Sequence, residues 1–313
     1  MGKIRVCMTA LLTTFLLLSL AACGQNSKID SHGIVYVPEE VKFSSPLTWT
    51  ESACISGKAV YLLGAVRDSK TYEETLTLVR VPLEGGKTEA LPGFHPARLE
   101  GATEYESTGG YLRPGADGTI WLIENVYVVG SGVSPVLRQL DSEGNELFLF
   151  DGSGLKQHLG AEWIYDLWTV GAGTLFVNTG EAVVLLDEAG TVQATLEGLQ
   201  LHYKRFVTLS DGRVGIPSAV QSPEGTVSQL RIIDTAAGDW AQEAFALPFN
   251  ASCIQTGEGE RLFYYTDGDA LYAWRQGAEE PERVMSWVES GVDANSLTAF
   301  SFLEDGRLAA VTN

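Results

Sequence analysis

Asp117-Gly118-Thr119-Ile120-Trp121-Leu122-Ile123 is a tight polar turn that runs without a break into a wholly apolar strand. Glycine supplies the positive φ that a two-residue turn demands, and β-branched and aromatic side chains suit a pleated surface. The same phrase is written elsewhere in the chain. It stands as Gly57-Lys58-Ala59-Val60-Tyr61-Leu62-Leu63, as Ala172-Gly173-Thr174-Leu175-Phe176-Val177 and as Asp211-Gly212-Arg213-Val214-Gly215-Ile216. It returns as Glu258-Gly259-Glu260-Arg261-Leu262-Phe263-Tyr264 and as Asp305-Gly306-Arg307-Leu308-Ala309-Ala310-Val311. From residue 46 onward apolar residues come in short runs between Gly, Asp and Glu turns, with no sustained 3.6-residue period, so the fold class is all-β.

A second phrase follows the first, a strand that ends in an acidic glycine turn. Val136-Leu137-Arg138-Gln139-Leu140-Asp141-Ser142-Glu143-Gly144 is one copy and Val183-Val184-Leu185-Leu186-Asp187-Glu188-Ala189-Gly190 another. Arg231 to Gly238 and Ala270 to Gly277 match as well. Glycines 57, 118, 173, 212, 259 and 306 of the first phrase are separated by 61, 55, 39, 47 and 47 residues. A four-stranded propeller blade takes about 40–50 residues, so the spacing predicts a β-propeller of about six blades with insertions in the first two intervals. Each blade reads as strand, glycine turn, strand, loop, strand, acidic turn, strand. Residues 46 to 313 resemble the irregular β-propellers of bacterial surface proteins, although no strict blade signature is present. The alternative architectures are a large β-sandwich and a β-solenoid. The last repeat holds two strands, Leu297 to Leu303 and Leu308 to Val311. The closing blade is therefore either incomplete, in a fragment of a longer polypeptide, or closed by the early strand Ile34-Val35-Tyr36-Val37, because natural sheets avoid open edges.

Ahead of the repeats lies a short basic start (Lys3, Arg5), an uncharged apolar run from Met8 to Leu20, and then Leu20-Ala21-Ala22-Cys23. The run has the length of a signal-peptide core and is short for a membrane span. Leu20 to Cys23 resembles a bacterial lipobox. That resemblance implies a signal peptide over residues 1–22 and lipidation of Cys23; the small polar residues after it make residues 23–33 a flexible tether, and the repeats give a propeller domain over residues 34–313. The resemblance to a lipobox also implies a protein held to the lipid bilayer on the outer face of the bacterial cell membrane. Removing Lys3 and Arg5 leaves 19 basic against 40 acidic side chains, a formal charge of −21. With no Lys/Arg cluster to offset it, this charge excludes DNA and RNA as partners.

Four cysteines occur. With Cys7 removed and Cys23 lipidated, Cys54 and Cys253 remain, each in the context Ser-Cys or Ala-Cys followed by Ile. These are equivalent positions in different repeats, which predicts reduced, buried thiols near the axis; a single disulfide is the alternative.

No Gly-x-Ser-x-Gly, His-Glu-x-x-His, Walker loop or Cys-x-x-Cys occurs, so no catalytic residue, metal site or cofactor is assigned. His32, His95, His158 and His202 are scattered. Asp267-Gly268-Asp269 reads as a hairpin turn, lacking further calcium ligands at alternate positions. Aromatic residues beside carboxylates are the candidate ligand-binding positions: Tyr105 and Tyr111 in an expected inserted loop, and Trp163, Tyr165 and Trp168 in Glu162 to Trp168. Rings in such company suit sugars, cations or a protein surface, while in a propeller such rings mostly pack between neighbouring blades. The expected function is a binding or interaction module with a protein or carbohydrate ligand. The alternatives are a glycan hydrolase or lyase using carboxylates from separate blades, and the front part of a solute-binding lipoprotein of an ABC importer.

Overall fold

The computed structural model describes residues 3–9, 28–29, 35–42, 45–85, 87–97, 105–115, 118–128, 130, 132–152, 163–170, 174–187, 189–197, 200–209, 211–223, 225–250, 254–256, 262–267, 269–291, 297–303 and 307–312. Among them there is no α-helix, and the strands assemble into a β-propeller. The first three strands, β1 (Lys3–Thr9), β2 (Lys28–Ile29) and β3 (Val35–Lys42), belong to the sheet that closes the ring. Five blades of four antiparallel strands follow in chain order. The first is β4 (Trp49–Ser56), β5 (Ala59–Arg67), β6 (Glu74–Pro82) and β7 (Glu89–Ala90). The second is β8 (Tyr105–Pro114), β9 (Ile120–Val128), β10 (Gly132–Leu140) and β11 (Glu146–Asp151). β12 (Asp166–Val170), β13 (Thr174–Asn178), β14 (Ala182–Leu186) and β15 (Val192–Glu197) make the third. The fourth contains β16 (Val207–Thr208), β17 (Val214–Ser222), β18 (Gly225–Asp234) and β19 (Asp239–Ala246). The fifth contains β20 (Ile254–Thr256), β21 (Leu262–Thr266), β22 (Ala270–Arg275) and β23 (Glu282–Ser286).

Both sequence phrases land on hairpins. The first is the turn into the second strand of a blade; Gly118, at φ +77°, occupies it between β8 and β9. The second is the turn between the third and fourth strands, and its aspartate has a physical job. Asp141 Oδ1 accepts from the backbone N–H of Glu143 (2.8 Å) and Asn145 (2.9 Å), and Asp187 Oδ1 does the same for Ala189 (2.9 Å) and Thr191 (2.8 Å). Such Asx turns hold the backbone where no strand partner is available. Asp267 likewise caps the N–H of Asp269 at 3.0 Å and of Ala270 at 3.2 Å, which gives the Asp-Gly-Asp run its turn role.

The second strands are apolar on both faces because each face meets a different neighbour. Val60 and Leu62 of β5 pack with Ala309 and Val311 of the closing sheet, whereas Tyr61 and Leu63 pack with Leu112, Ile120 and Leu122 of the second blade. Trp121 and Ile123 then face Leu175 and Val177 of the third, and Phe176 faces Val214 and Ile216 of the fourth. The fourth and fifth blades meet through Leu230, Ile232, Phe263 and Trp274, and the fifth meets the closing sheet through Tyr264, Leu271, Phe300 and Leu308. The core is thus a ring of six interfaces, one between each pair of neighbouring sheets.

The closing sheet has the order β2-β3-β1-β25-β24, with β24 (Leu297–Phe302) and β25 (Leu308–Thr312) from the C-terminal end. The N-terminal segment does help close the ring, but not by the expected pairing. Val35–Lys42 lies one strand further out, and Lys3–Thr9 stands between it and β25, with Lys3 opposite Thr312 and Cys7 opposite Leu308. β1 therefore falls inside the segment expected to be removed as a signal peptide. Residues 10–27, which include the lipobox and Cys23, lie outside the described residues.

Candidate functional site

A cavity of about 300 Å³ lies where the first strands of all six sheets converge. Each contributes a short run to its wall: residues 53–55 of β4, 112–114 of β8, 166–169 of β12, 205–208 at β16, 254–256 of β20 and 299–301 of β24. The cavity is axial, because no other place in a ring is shared by every blade.

Among the described residues, two arginines and one carboxylate stand in this wall. Asp166, 2% exposed, ties three blades together. Its Oδ1 accepts a short hydrogen bond from Arg113 Nε, and its Oδ2 accepts from the backbone N–H of Phe206 at 2.6 Å. Arg113 also donates through Nη1 to the carbonyl of Leu112 (2.7 Å) and through Nη2 to that of Tyr165 (3.4 Å). Further round, Trp168 Nε1 donates to Thr208 Oγ1 at 2.9 Å, and Thr256 Oγ1 donates to the carbonyl of Thr208 at 2.9 Å. Cys54 is a buried free thiol in the same wall, and burial pushes its pKa up to about 12, so it is a poor nucleophile. Cys253 lies outside the described residues, next to the lining residue Ile254.

Of the candidate positions, Trp168 is in the wall of the cavity, with its ring stacked on Phe176 at 6.4 Å. Tyr165 precedes Asp166 and meets His202 (5.2 Å between centroids) and Tyr203 (5.1 Å) edge to face. Trp163 is 38% exposed. Tyr111 is half-buried against the interface between the second and third blades. Tyr105 and Tyr111 do not form an inserted loop. Residues 105–114 pair along β9 as an inner strand, with a register shift between Ser107 and Gly110. The polar Glu-Ser-Thr-Gly-Gly run looks like a loop in sequence because it alternates poorly, but Glu106, Ser107 and Gly110 pair with β9 on either side of that irregularity. The structure thus brings Trp168 into the cavity wall, ties Tyr165 to that wall through its carbonyl on Arg113, and leaves Trp163 out of the lining.

The residues missed by sequence reading are Arg113 and the segment His202-Tyr203-Lys204-Arg205-Phe206. Lys204 and Arg205 are the only two adjacent basic residues in a chain of net charge −19, a signal that a search for larger Lys/Arg clusters passes over. Arg205 and Phe206 line the cavity, and Lys204 Nζ donates to Asn250 Oδ1 at 2.8 Å while burial lowers its pKa. Tyr203, 67% exposed, adopts φ +60°, a backbone conformation that costs a bulky residue energy and so needs support from its surroundings.

The class this architecture defines is a β-propeller with an axial pocket. The chain is similar in structure to a Bacteroides caccae protein of unknown function (10% identity, TM-score 0.40, covering 88% of this chain and 84% of that one). It is also similar to the Dos1 propeller (13%, 0.38, 92% and 82%) and to the Neurospora crassa Pan2 WD40 domain (7%, 0.42, 84% and 88%). No model of a protein family matches the chain, and no curated protein matches it.

Proposed function

We propose that this protein is a lipid-anchored, extracytoplasmic binding module whose β-propeller holds a small polar ligand in its axial pocket. The observation that carries the reading is the cavity itself, walled by the first strand of every blade and large enough for a small molecule, since ligand pockets run upward from about 300 Å³. The sequence Leu20-Ala21-Ala22-Cys23 supports the anchor. Hydrolysis of glycans by paired carboxylates is disfavoured, because Asp166 is the sole carboxylate among the described residues that line the pocket and is already engaged by Arg113 and Phe206.

Two measurements test this reading. Lipid labelling and fractionation should find the wild type in the membrane and Cys23→Ala in the soluble exported fraction; an unprocessed cytoplasmic wild type would refute the anchor. A thermal-shift screen of small polar metabolites should find ligands that raise the melting temperature of the wild type but not of Ser301→Trp, which fills the pocket. Equal shifts in both proteins would remove the pocket from the proposal.

A further inference from the structure

Tyr203 is held exposed at φ +60° by a clamp that starts from a buried side chain. Asn178, 0% exposed, donates through Nδ2 to the carbonyls of Leu201 and of Lys204, both at 2.8 Å. Its Oδ1 accepts from the N–H of Gly180 at 2.8 Å, and the Gly180 carbonyl accepts from the N–H of Leu201 at 2.7 Å. The N–H of Lys204 closes a turn on the Leu201 carbonyl at 3.0 Å. Tyr203 is the third residue of that turn, and a positive φ there ordinarily calls for glycine. A bulky, exposed ring kept in a strained backbone by its surroundings points to a residue displayed for contact.

Three pieces of the third blade end at this place: the chain entering β12, the turn from β13 to β14, and the connection leaving β15. They set the Tyr165 ring edge to face against both His202 and Tyr203. Gly180, at φ +91°, lies against these rings; a Cβ there would stand 2.6 Å from Tyr165 and 2.9 Å from His202. Exposed Trp163 stands two residues before Tyr165, and exposed Glu181 follows Gly180. Burial, and after it the charges of Tyr203, Tyr111 and Glu181, raise the pKa of Tyr165, so the Glu181 carboxylate is within electrostatic reach of the rings.

The face of an aromatic ring attracts a cation, the more so beside a carboxylate. A net charge of −19 draws a basic partner from a distance. The patch is open surface, where a small free cation keeps its water and a docked chain displaces it. From this combination we infer that this end of the third blade is a docking surface for a basic segment of a protein partner, with a lysine or arginine side chain laid on Tyr203 and its charge answered by Glu181. The surface is separate from the axial pocket and does not depend on what the pocket holds.

Isothermal titration of the purified full-length protein with hexalysine, hexaglutamine and tetramethylammonium tests this at about 0.15 M salt, where exposed charges more than about 8 Å apart are screened. Hexalysine should bind the wild type, and Tyr203→Gly should bind it about two- to fivefold more weakly, the worth of one exposed cation–π contact. Tyr203→Gly should melt no lower than the wild type, because glycine takes a positive φ without strain. Weaker binding at undiminished stability separates a contact from a role in folding. Tyr203→Phe keeps the ring and should keep the affinity, while Glu181→Gln should lower it by about twofold. Ser301→Trp, which fills the axial pocket, should bind hexalysine as the wild type does. Absence of hexalysine binding, wild-type affinity in Tyr203→Gly or Glu181→Gln, or equal binding of hexaglutamine overturns the inference. Tetramethylammonium bound as tightly as hexalysine overturns the protein segment as the source of the charge. Loss of hexalysine binding in Ser301→Trp would move the basic ligand to the axis and overturn the docking surface.

Discussion

Glu51 shows how a single residue links the inner strands to the pH response of the fold. It sits on β4, and its Oε1 accepts from the backbone N–H of Gly110 on β8 at 2.9 Å, while its Oε2 is buried without a hydrogen-bond partner. Burial raises its pKa above 4.5, the Gly110 N–H opposes the rise, and the charge of Glu124 adds to it. The folded state therefore binds a proton at Glu51 more tightly than the unfolded chain does. Its contribution to stability is complete below about pH 4.5 and is lost as pH rises through the raised value. Asp68, Asp141 and Asp211, held below 3.8 by hydrogen bonds, act in the opposite sense, gaining above that value and losing on acidification. They are common to wild type and Glu51→Gln, so they cancel in the difference. The melting temperature of Glu51→Gln should match wild type near pH 4 and exceed it increasingly towards pH 8. A gap that is largest in acid would show that the carboxylate is not the group responsible.

At the scale of strands, the blades are joined by two kinds of contact, and these carry different consequences. The interleaved apolar faces, such as Leu62 against Val311 and Leu63 against Leu122, tolerate exchange of one apolar residue for another of similar volume. The polar staple at Asp166 does not, because it holds β8, β12 and the entry to β16 with one nearly buried carboxylate. Asp166→Asn places an amide group against either the Arg113 guanidinium or the Phe206 N–H, donor facing donor, and leaves the arginine charge uncompensated. Breaking one partner of a buried ion pair costs about 3–5 kcal/mol, a large share of a typical domain stability of about 5–15 kcal/mol. A chemical-denaturation midpoint shifted by that amount is expected; a loss under about 1 kcal/mol would mean that solvent reaches and screens this pair. Inside the second blade, Arg138 forms a buried pair with Glu124 at 3.0 Å and a second one with the exposed Glu146 at 2.9 Å. Arg138 Nη1 also bonds the carbonyl of His95 at 2.6 Å. That bond uses only the backbone of a histidine the sequence left unassigned.

For the molecule as a ring, the critical place is the closing sheet. In each of the five other blades the third strand follows the second directly along the chain, whereas here that position is taken by β1. Our reading of Leu20 to Cys23 has residues 1–22 removed during export, which would strip β1 from the outer edge of β25 and leave a row of unpaired backbone groups between β25 and β3. The chain of residues 23–313 should therefore melt below the full 1–313 chain, with exchange of the β25 amides accelerated more than that of β5 or β9. Identical melting and exchange would show that β1 contributes nothing to closure.

Apart from β1 and β8, the sequence by itself determined the main strands, their hairpins and their grouping into blades. These are local facts: the turn at Gly118, the Asx turn at Asp187 and the two-sided apolar run from Val60 to Leu63 are each dictated within a few residues of chain. It also pointed to Trp168, though not to its neighbours. Tertiary structure alone decided which single face of Tyr61 or Trp121 meets which blade, that residues 105–114 are a strand and not an insertion, and that Lys3–Thr9 lies beside β25. It alone made the pocket. Arg113 and Asp166 are separated by 53 positions, and nothing local marks them as partners, nor Arg205, 39 positions further on, as part of the same wall. They meet because a closed ring brings the first strand of every blade to one axis, where an arginine from one blade finds its carboxylate on the next.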